Sequence, residues 1–234
     1  MINQGGKAIG DSAATDVRPP RRRPAHKTYN AIAGRSLARL NAISDGLFAF
    51  AMTVIVLDIR LPTHAPLHTE AQLWAAIVSL TPQFVTYLMS FLTLGIFWVA
   101  QQTQLERMKE ADRDFSWLHL LFLATVAVLP LTTRLLAEFI TFRVALVLYW
   151  LNLLLVGTII LAAFLYAHGA GLLKDDVSVE VSRAFIHRVI TAQILYALGA
   201  SLCIVNTYLS IGFIVFVQLN YAIAPRSRLL NWLG

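Results

Sequence analysis

Six apolar runs, each long enough to cross a lipid bilayer as a helix, follow one another with only short polar links between them. A bilayer core about 30 Å thick takes roughly 20 residues of helix, and unpaired backbone amides are too costly to leave there. The chain is therefore expected to be all-α and integral to a membrane, with six transmembrane helices in one unit. Composition supports this where it matters: 57% of the 234 residues are hydrophobic, and 14% are charged against about 25% in soluble domains. No room is expected for a second, soluble domain.

The runs cover roughly 39–61, 73–100, 115–136, 142–168 and 184–204, and a sixth starts at the turn Asn206-Thr207-Tyr208 and ends near Ala224-Pro225. Pro82 stands near the start of the second run and Pro130 towards the end of the third. Each removes a backbone donor, so each predicts a kink or a first helical turn. Gln101 to Asp114 reads as a charged loop, and His168 to Arg183 as a polar one. Residues 1–36 carry Arg21, Arg22 and Arg23 and read as a disordered basic arm, 37–225 as the six-span domain, and 226–234 as a tail. A cleavable signal peptide is not expected, since no small-residue cleavage site follows the basic region. Six spans put both ends of the chain on one side. Only Arg60, Arg134 and Arg143 of the nineteen Lys and Arg fall on the other side. The positive-inside rule then makes both termini cytoplasmic and the lipid bilayer of the cell membrane the medium. The same placement explains the net charge of +6 without nucleic acid as a partner.

The first run is the most informative. Arg39 opens it, Ser44-Asp45 follow within two turns, and Leu47 to Leu57 is apolar except for Thr53. Asp58 and Arg60 close it. Ionisable groups at such depth are costly, so each asks for a function or a partner. At about 100° per residue, Phe50, Val54 and Leu57 fall on one stripe, with Gly46 and Thr53 on its flank. Ser44 and Asp45 point more than about 100° away from that stripe. The layout suits a pore-lining helix whose back is tied into its own bundle, with Asp58 at the outer mouth and Ser44-Asp45 near the inner end.

Other chemistry is not signalled. The sequence has no glycine-rich phosphate loop, no Cys/His set at metal-ligand spacing and no nucleophile elbow, so no catalytic residue, metal or cofactor is expected. His119 is a candidate for a hydrogen bond inside the bundle, while His26, His64 and His68 fall in the arm or a loop. Trp74, Trp98, Trp117, Trp150 and Trp232 lie where an interfacial aromatic belt would place them, and Cys203 reads as a buried free thiol. Two alternatives remain. One is a structural six-span membrane protein whose polar residues only join helices. The other is a secondary transporter, which calls for midplane carboxylates and inverted repeats. The acids Asp45, Asp58 and Glu138 sit near membrane boundaries, and no internal repeat is visible.

Arg39-Leu-Asn-Ala-Ile43-Ser44-Asp45, followed by Gly46-Leu-Phe-Ala-Phe50-Ala-Met-Thr53, resembles the R-x-x-x-F-S-D signature of the transmembrane protein 175 potassium channels in their single-repeat prokaryotic form. Leu80-Thr-Pro82-Gln-Phe84 through Phe97-Trp98, Trp117 to Leu121, Leu129-Pro130 and Tyr149-Trp-Leu-Asn152 also look like that family, and the resemblance covers roughly 37 to 224. Three positions depart from its pattern. Ile43 replaces the signature aromatic, Gln101-Gln102 stand where a histidine pair is common, and Phe50 stands where isoleucine or leucine is usual. No T-V-G-Y-G filter of the ordinary potassium-channel kind is present.

The resemblance implies a homotetramer in which four copies of the first helix line a central pore. It implies passive conduction of potassium, or of monovalent cations with weak selectivity, through residues 37–225 as a channel domain. It places the gate at Phe50, Val54 and Leu57, and a hydroxyl layer for selectivity at Thr53. Arg39, Ser44 and Asp45 would form a structural network at the inner end. Asp58 would stand at the outer mouth, drawing cations in. The permeant ions are the expected partners besides lipid, and no cofactor is implied.

Overall fold

The computed structural model of the chain describes residues 36–60 and 68–223. The basic arm with Arg21, Arg22 and Arg23, His26, His64 and the tail with Trp232 lie outside the described residues. Eight α-helices make up the rest: α1 (Leu37–Leu57), α2 (Glu70–Ser79), α3 (Thr81–Glu106), α4 (Arg113–Ala127), α5 (Leu129–Glu138), α6 (Arg143–Gly169), α7 (Val179–Ser201) and α8 (Thr207–Ile223). A short 3₁₀ turn, Leu202–Ile204, extends α7. Five segments are long and apolar enough to cross a membrane: α1, α3, α4 with α5, α6, and α7 with its 3₁₀ turn. At 17 residues, α8 is apolar but shorter.

Local chemistry sets the helix ends. Ser36, Thr69, Asp112 and Ser178 each accept a backbone N–H from the first turn of α1, α2, α4 and α7. Thr69 and Gln72 form a reciprocal capping box. The second apolar run, expected as one helix over 73–100, is two. It breaks at Leu80, and Pro82 occupies the first turn of α3, where a missing N–H costs nothing. Pro130 does the same at the start of α5, dividing the third run after Ala127. The expected loop from Gln101 is also helical as far as Glu106, since neither Gly nor Pro interrupts it, and Gln101 and Gln104 are buried. At the far end of α6, Gly171 adopts φ 69°, and Leu172 N–H returns to the Ala167 carbonyl at 2.9 Å, closing the helix with a left-handed residue. Loops 107–112 and 170–178 are then joined by Lys109 N–H to Leu172 O and Lys174 N–H to Arg107 O.

The bundle is organised around α6, whose Tyr149, Leu153 and Val156 are fully enclosed. Helices α4, α5 and α7 pack on it, and α1 packs on α3, α4 and α5. Small residues allow close approach. A Cβ on Gly157 of α6 would overlap the Gln193 side chain of α7, and one on Gly199 of α7 would meet Ile214 of α8 at 2.8 Å. Ser210 of α8 donates to the Gly199 carbonyl at 2.5 Å. A buried polar chain crosses four helices. Thr133 Oγ1 lies 2.6 Å from Ser90 Oγ, Ser90 3.3 Å from Tyr149 Oη, Tyr149 2.9 Å from Thr93 Oγ1, and Gln218 Nε2 donates to Thr93 at 2.6 Å. With lipid as apolar as the core, such bonds and close packing replace water exclusion as the force between helices. Cys203 is a buried free thiol, as the sequence implied.

Candidate functional site

Helix α1 has two unlike faces. Leu40, Ser44, Phe48, Ala51 and Ile55 are buried against the bundle. Phe48 meets Phe122 of α4 with ring centroids 6.1 Å apart. The opposite face is open within the subunit: Gly46, Ala49, Phe50, Thr53 and Leu57 are exposed along it, Phe50 by 67% and Leu57 by 77%. Val54, read from the helical wheel as part of the stripe, is half-buried at its margin. Thr53 Oγ1 donates its hydrogen to the Phe50 carbonyl at 2.7 Å. Its lone pairs are therefore left on the open face, where they form an acceptor among apolar side chains.

Ser44 and Asp45 are adjacent in sequence but diverge by one helical step, and they take separate partners. Ser44 is fully buried; its hydroxyl donates to the Leu40 carbonyl at 2.7 Å and lies 2.7 Å from Nε2 of His119 on α4. Both contacts are satisfied when His119 carries its proton on Nε2 and donates to Ser44. His119, expected to bond inside the bundle, does so with Ser44 rather than with Asp45. The Asp45 carboxylate is held by neutral donors: Trp98 Nε1 at 2.9 Å and Gln102 Nε2 at 2.6 Å, both to Oδ1, and Asn41 Nδ2 to Oδ2 at 3.4 Å. No hydrogen bond or ion pair joins Arg39 to it among the described residues, because Arg39 points outward from the first turn.

Trp98, Gln102 and Asn41 are thus the residues that sequence reasoning missed. Trp98 was assigned to an aromatic belt, yet its indole N–H is committed to a carboxylate. The spacing was a usable signal, since 98 and 102 are one turn apart on α3, as 41 and 45 are on α1.

At the other end of α1, Asp58 forms the helix C-cap and turns towards α5. Its Oδ1 lies 3.9 Å from Arg134 Nη1. The two line a cavity of about 270 Å³ together with Arg60, Gln83, Thr133 and Glu138. Gln83 Oε1 accepts the Arg60 backbone N–H at 3.0 Å. Asp58, expected at the outer mouth as a charge that draws cations in, shares its surroundings with a guanidinium, so its field is partly cancelled. No group of three or more His, Cys, Asp or Glu among the described residues is placed to hold a metal ion.

Comparison with known proteins gives this geometry a context. Residues 39–130 match the family profile described as the endosomal/lysosomal potassium channel TMEM175. A potassium channel of Streptomyces collinus is 37% identical over 102 residues, which are 44% of this chain and 48% of that one. The endosomal/lysosomal proton channel TMEM175 of Bos taurus is 33% identical over 121 residues, 48% of this chain and 25% of that one. The chain therefore spans about half the length of the bacterial relative it matches, and less of the bovine one. The crystal structure of a lysosomal potassium-selective channel TMEM175 homolog from Chamaesiphon minutus superposes with a TM-score of 0.71 at 25% identity, covering 82% of this chain and 98% of that one. The signature helix lies within the matched region, and the likeness in fold extends over most of the chain, so this chain is similar to TMEM175 channels in the sequence of its first helices and in its fold.

Proposed function

We propose that the chain is a potassium channel subunit that crosses the cell membrane six times, α8 included, with both termini in the cytoplasm. Four copies assemble around a central axis, and the open face of α1 from each lines the pore. The observation that carries this reading is the division of α1. Its signature residues Ser44 and Asp45 anchor one side to α4 and α3, while Phe50, Thr53 and Leu57 stay exposed on the other. An apolar face with one outward oxygen can serve as a pore wall that sheds water everywhere but at the Thr53 level. The names of the bacterial relative and of the Chamaesiphon structure support potassium as the permeant ion.

In this reading conduction is passive. Thr53 oxygens from four subunits replace part of an ion's hydration shell. Four Phe50 rings form the gate by steric block and dewetting, with Leu57 and the flanking Val54 as further apolar layers. Ser44 and Asp45 position the inner end of α1, and Arg39 stands at its cytoplasmic start. Asp58 lies at the outer mouth, its pull on cations reduced by Arg134. Flux from purified protein in liposomes tests the proposal: potassium efflux should exceed sodium efflux, and loss of both would overturn it. A proton arm belongs in the same assay, because the bovine relative bears a proton-channel name.

A further inference from the structure

A groove of about 660 Å³ runs along the outside of the bundle between α3, α7 and α8. Phe91, Ile96, Val99, Ile160, Val189 and Ala192 give it aliphatic and aromatic walls. Among the described residues one charged side chain enters it, that of Arg188, beside Tyr221 and at the same end of the bundle as Trp98 and Thr103. The Arg188 guanidinium is exposed and finds only weak partners: the Tyr221 carbonyl at 3.5 Å and the Tyr221 ring face, 5.0 Å from its centroid. No carboxylate pairs with it among the described residues. Further along, Gln193 Oε1 and Tyr196 Oη on the groove wall are buried without hydrogen-bond partners.

An apolar trough with a cation at its end that no described carboxylate pairs has the shape and polarity of a lipid. We infer that the groove holds one anionic phospholipid, its phosphate on Arg188 and an acyl chain between α3 and α7. Charge complementarity decides for this occupant. A zwitterionic headgroup brings its own cation to Arg188, whereas an anionic one brings only the missing counter-charge. Basic pockets between spans at the cytoplasmic surface are known to take such headgroups, and the positive-inside count assigns the Arg188 end to that surface. Trp98 forms part of the wall and donates to Asp45, so the bound lipid buttresses the residue that holds the inner end of α1.

The test uses the full chain, purified from membranes reconstituted with equal phosphatidylglycerol and phosphatidylcholine, with retained lipid quantified by mass spectrometry. One arginine near a membrane surface is worth about 1 kcal/mol, which is roughly a five-fold preference. The wild type should retain phosphatidylglycerol over phosphatidylcholine by about that factor. Arg188→Gln should retain both alike, and Arg188→Lys should keep most of the preference. Gly95→Leu fills the trough from a position where an added Cβ meets nothing within 4 Å, and it should lower retention of both lipids with the oligomer intact. Equal retention by the wild type, or an undiminished preference in Arg188→Gln, would overturn the proposal. So would dissociation of the oligomer in Gly95→Leu, which would show a second subunit in the groove. Retention in the wild type is readable even where a variant fails to fold, and it does not depend on ion conduction.

Discussion

Phe48 and Phe50 are two residues apart on α1, and their contrast offers the most direct test of the proposed pore. Phe48 is 1% exposed and packed on Phe122; Phe50 is 67% exposed. Truncating a buried phenylalanine to alanine costs about 3–5 kcal/mol in a soluble core, as a transfer term plus a cavity term. In a bilayer the transfer term largely disappears, because lipid is as apolar as the core, and the cavity term remains. Phe48→Ala is therefore expected to destabilise the subunit by about 2–3 kcal/mol. Phe50 makes at most a third of that packing within the subunit, so Phe50→Ala should cost below about 1 kcal/mol. Its effect should appear in conduction instead. Removing four rings from one level of the axis leaves a wider and more easily wetted passage. Thermal unfolding in detergent and potassium flux in proteoliposomes, measured on the same preparations, read the two quantities. Phe48→Ala should shift the melting temperature without raising leak, and Phe50→Ala should raise leak with little shift. A Phe50→Ala protein as unstable as Phe48→Ala, with no added flux, would mean that Phe50 is packing rather than gate.

Three further outcomes follow from the same geometry. Thr53→Val keeps the shape and removes the outward oxygen, so the potassium-to-sodium permeability ratio should fall at unchanged yield; an unaltered ratio would place selectivity elsewhere. Trp98→Phe removes the indole donor from Asp45. The bond is exposed and Gln102 stays on the same oxygen, so the change should cost about 0.5–1.5 kcal/mol, and a thermal shift no larger than that of Trp117→Phe would refute the anchoring role. Arg134→Gln breaks a half-exposed ion pair worth about 0–1 kcal/mol, so stability should barely change. Freed of its partner, Asp58 should then raise cation flux at low ionic strength, and that gain should vanish at high salt as the field is screened. A gain that persists at high salt would argue against an electrostatic cause.

The apolar runs, the prolines and the first-helix pattern were readable from the chain because each is a local property. Hydropathy marks a membrane span whatever surrounds it, and a proline ends or starts a helix by its own missing N–H. Even so, Pro82 and Pro130 stand in the first turns of separate helices rather than bending one long helix. The helical wheel separated the Thr53 face from the Ser44 face, since that follows from the 100° step alone. Which partner each polar residue takes did not follow. Ser44 meets His119, 75 residues away, and Asp45 meets Trp98 and Gln102, more than 50 away. Asp58 meets Arg134, 76 positions further along the chain. Such pairings depend on the rotation of whole helices about their axes. In a bilayer, where apolar faces do not discriminate between lipid and protein, buried hydrogen bonds such as Ser44–His119 and Thr133–Ser90 carry much of that choice. The sequence alone determined that α1 has an apolar face broken by one hydroxyl and a separate polar face fit for anchoring. Only the packing of α3, α4 and α5 around it decided which residues do the anchoring, because a hydrogen bond is made by atoms within about 3 Å and not by residues near in sequence.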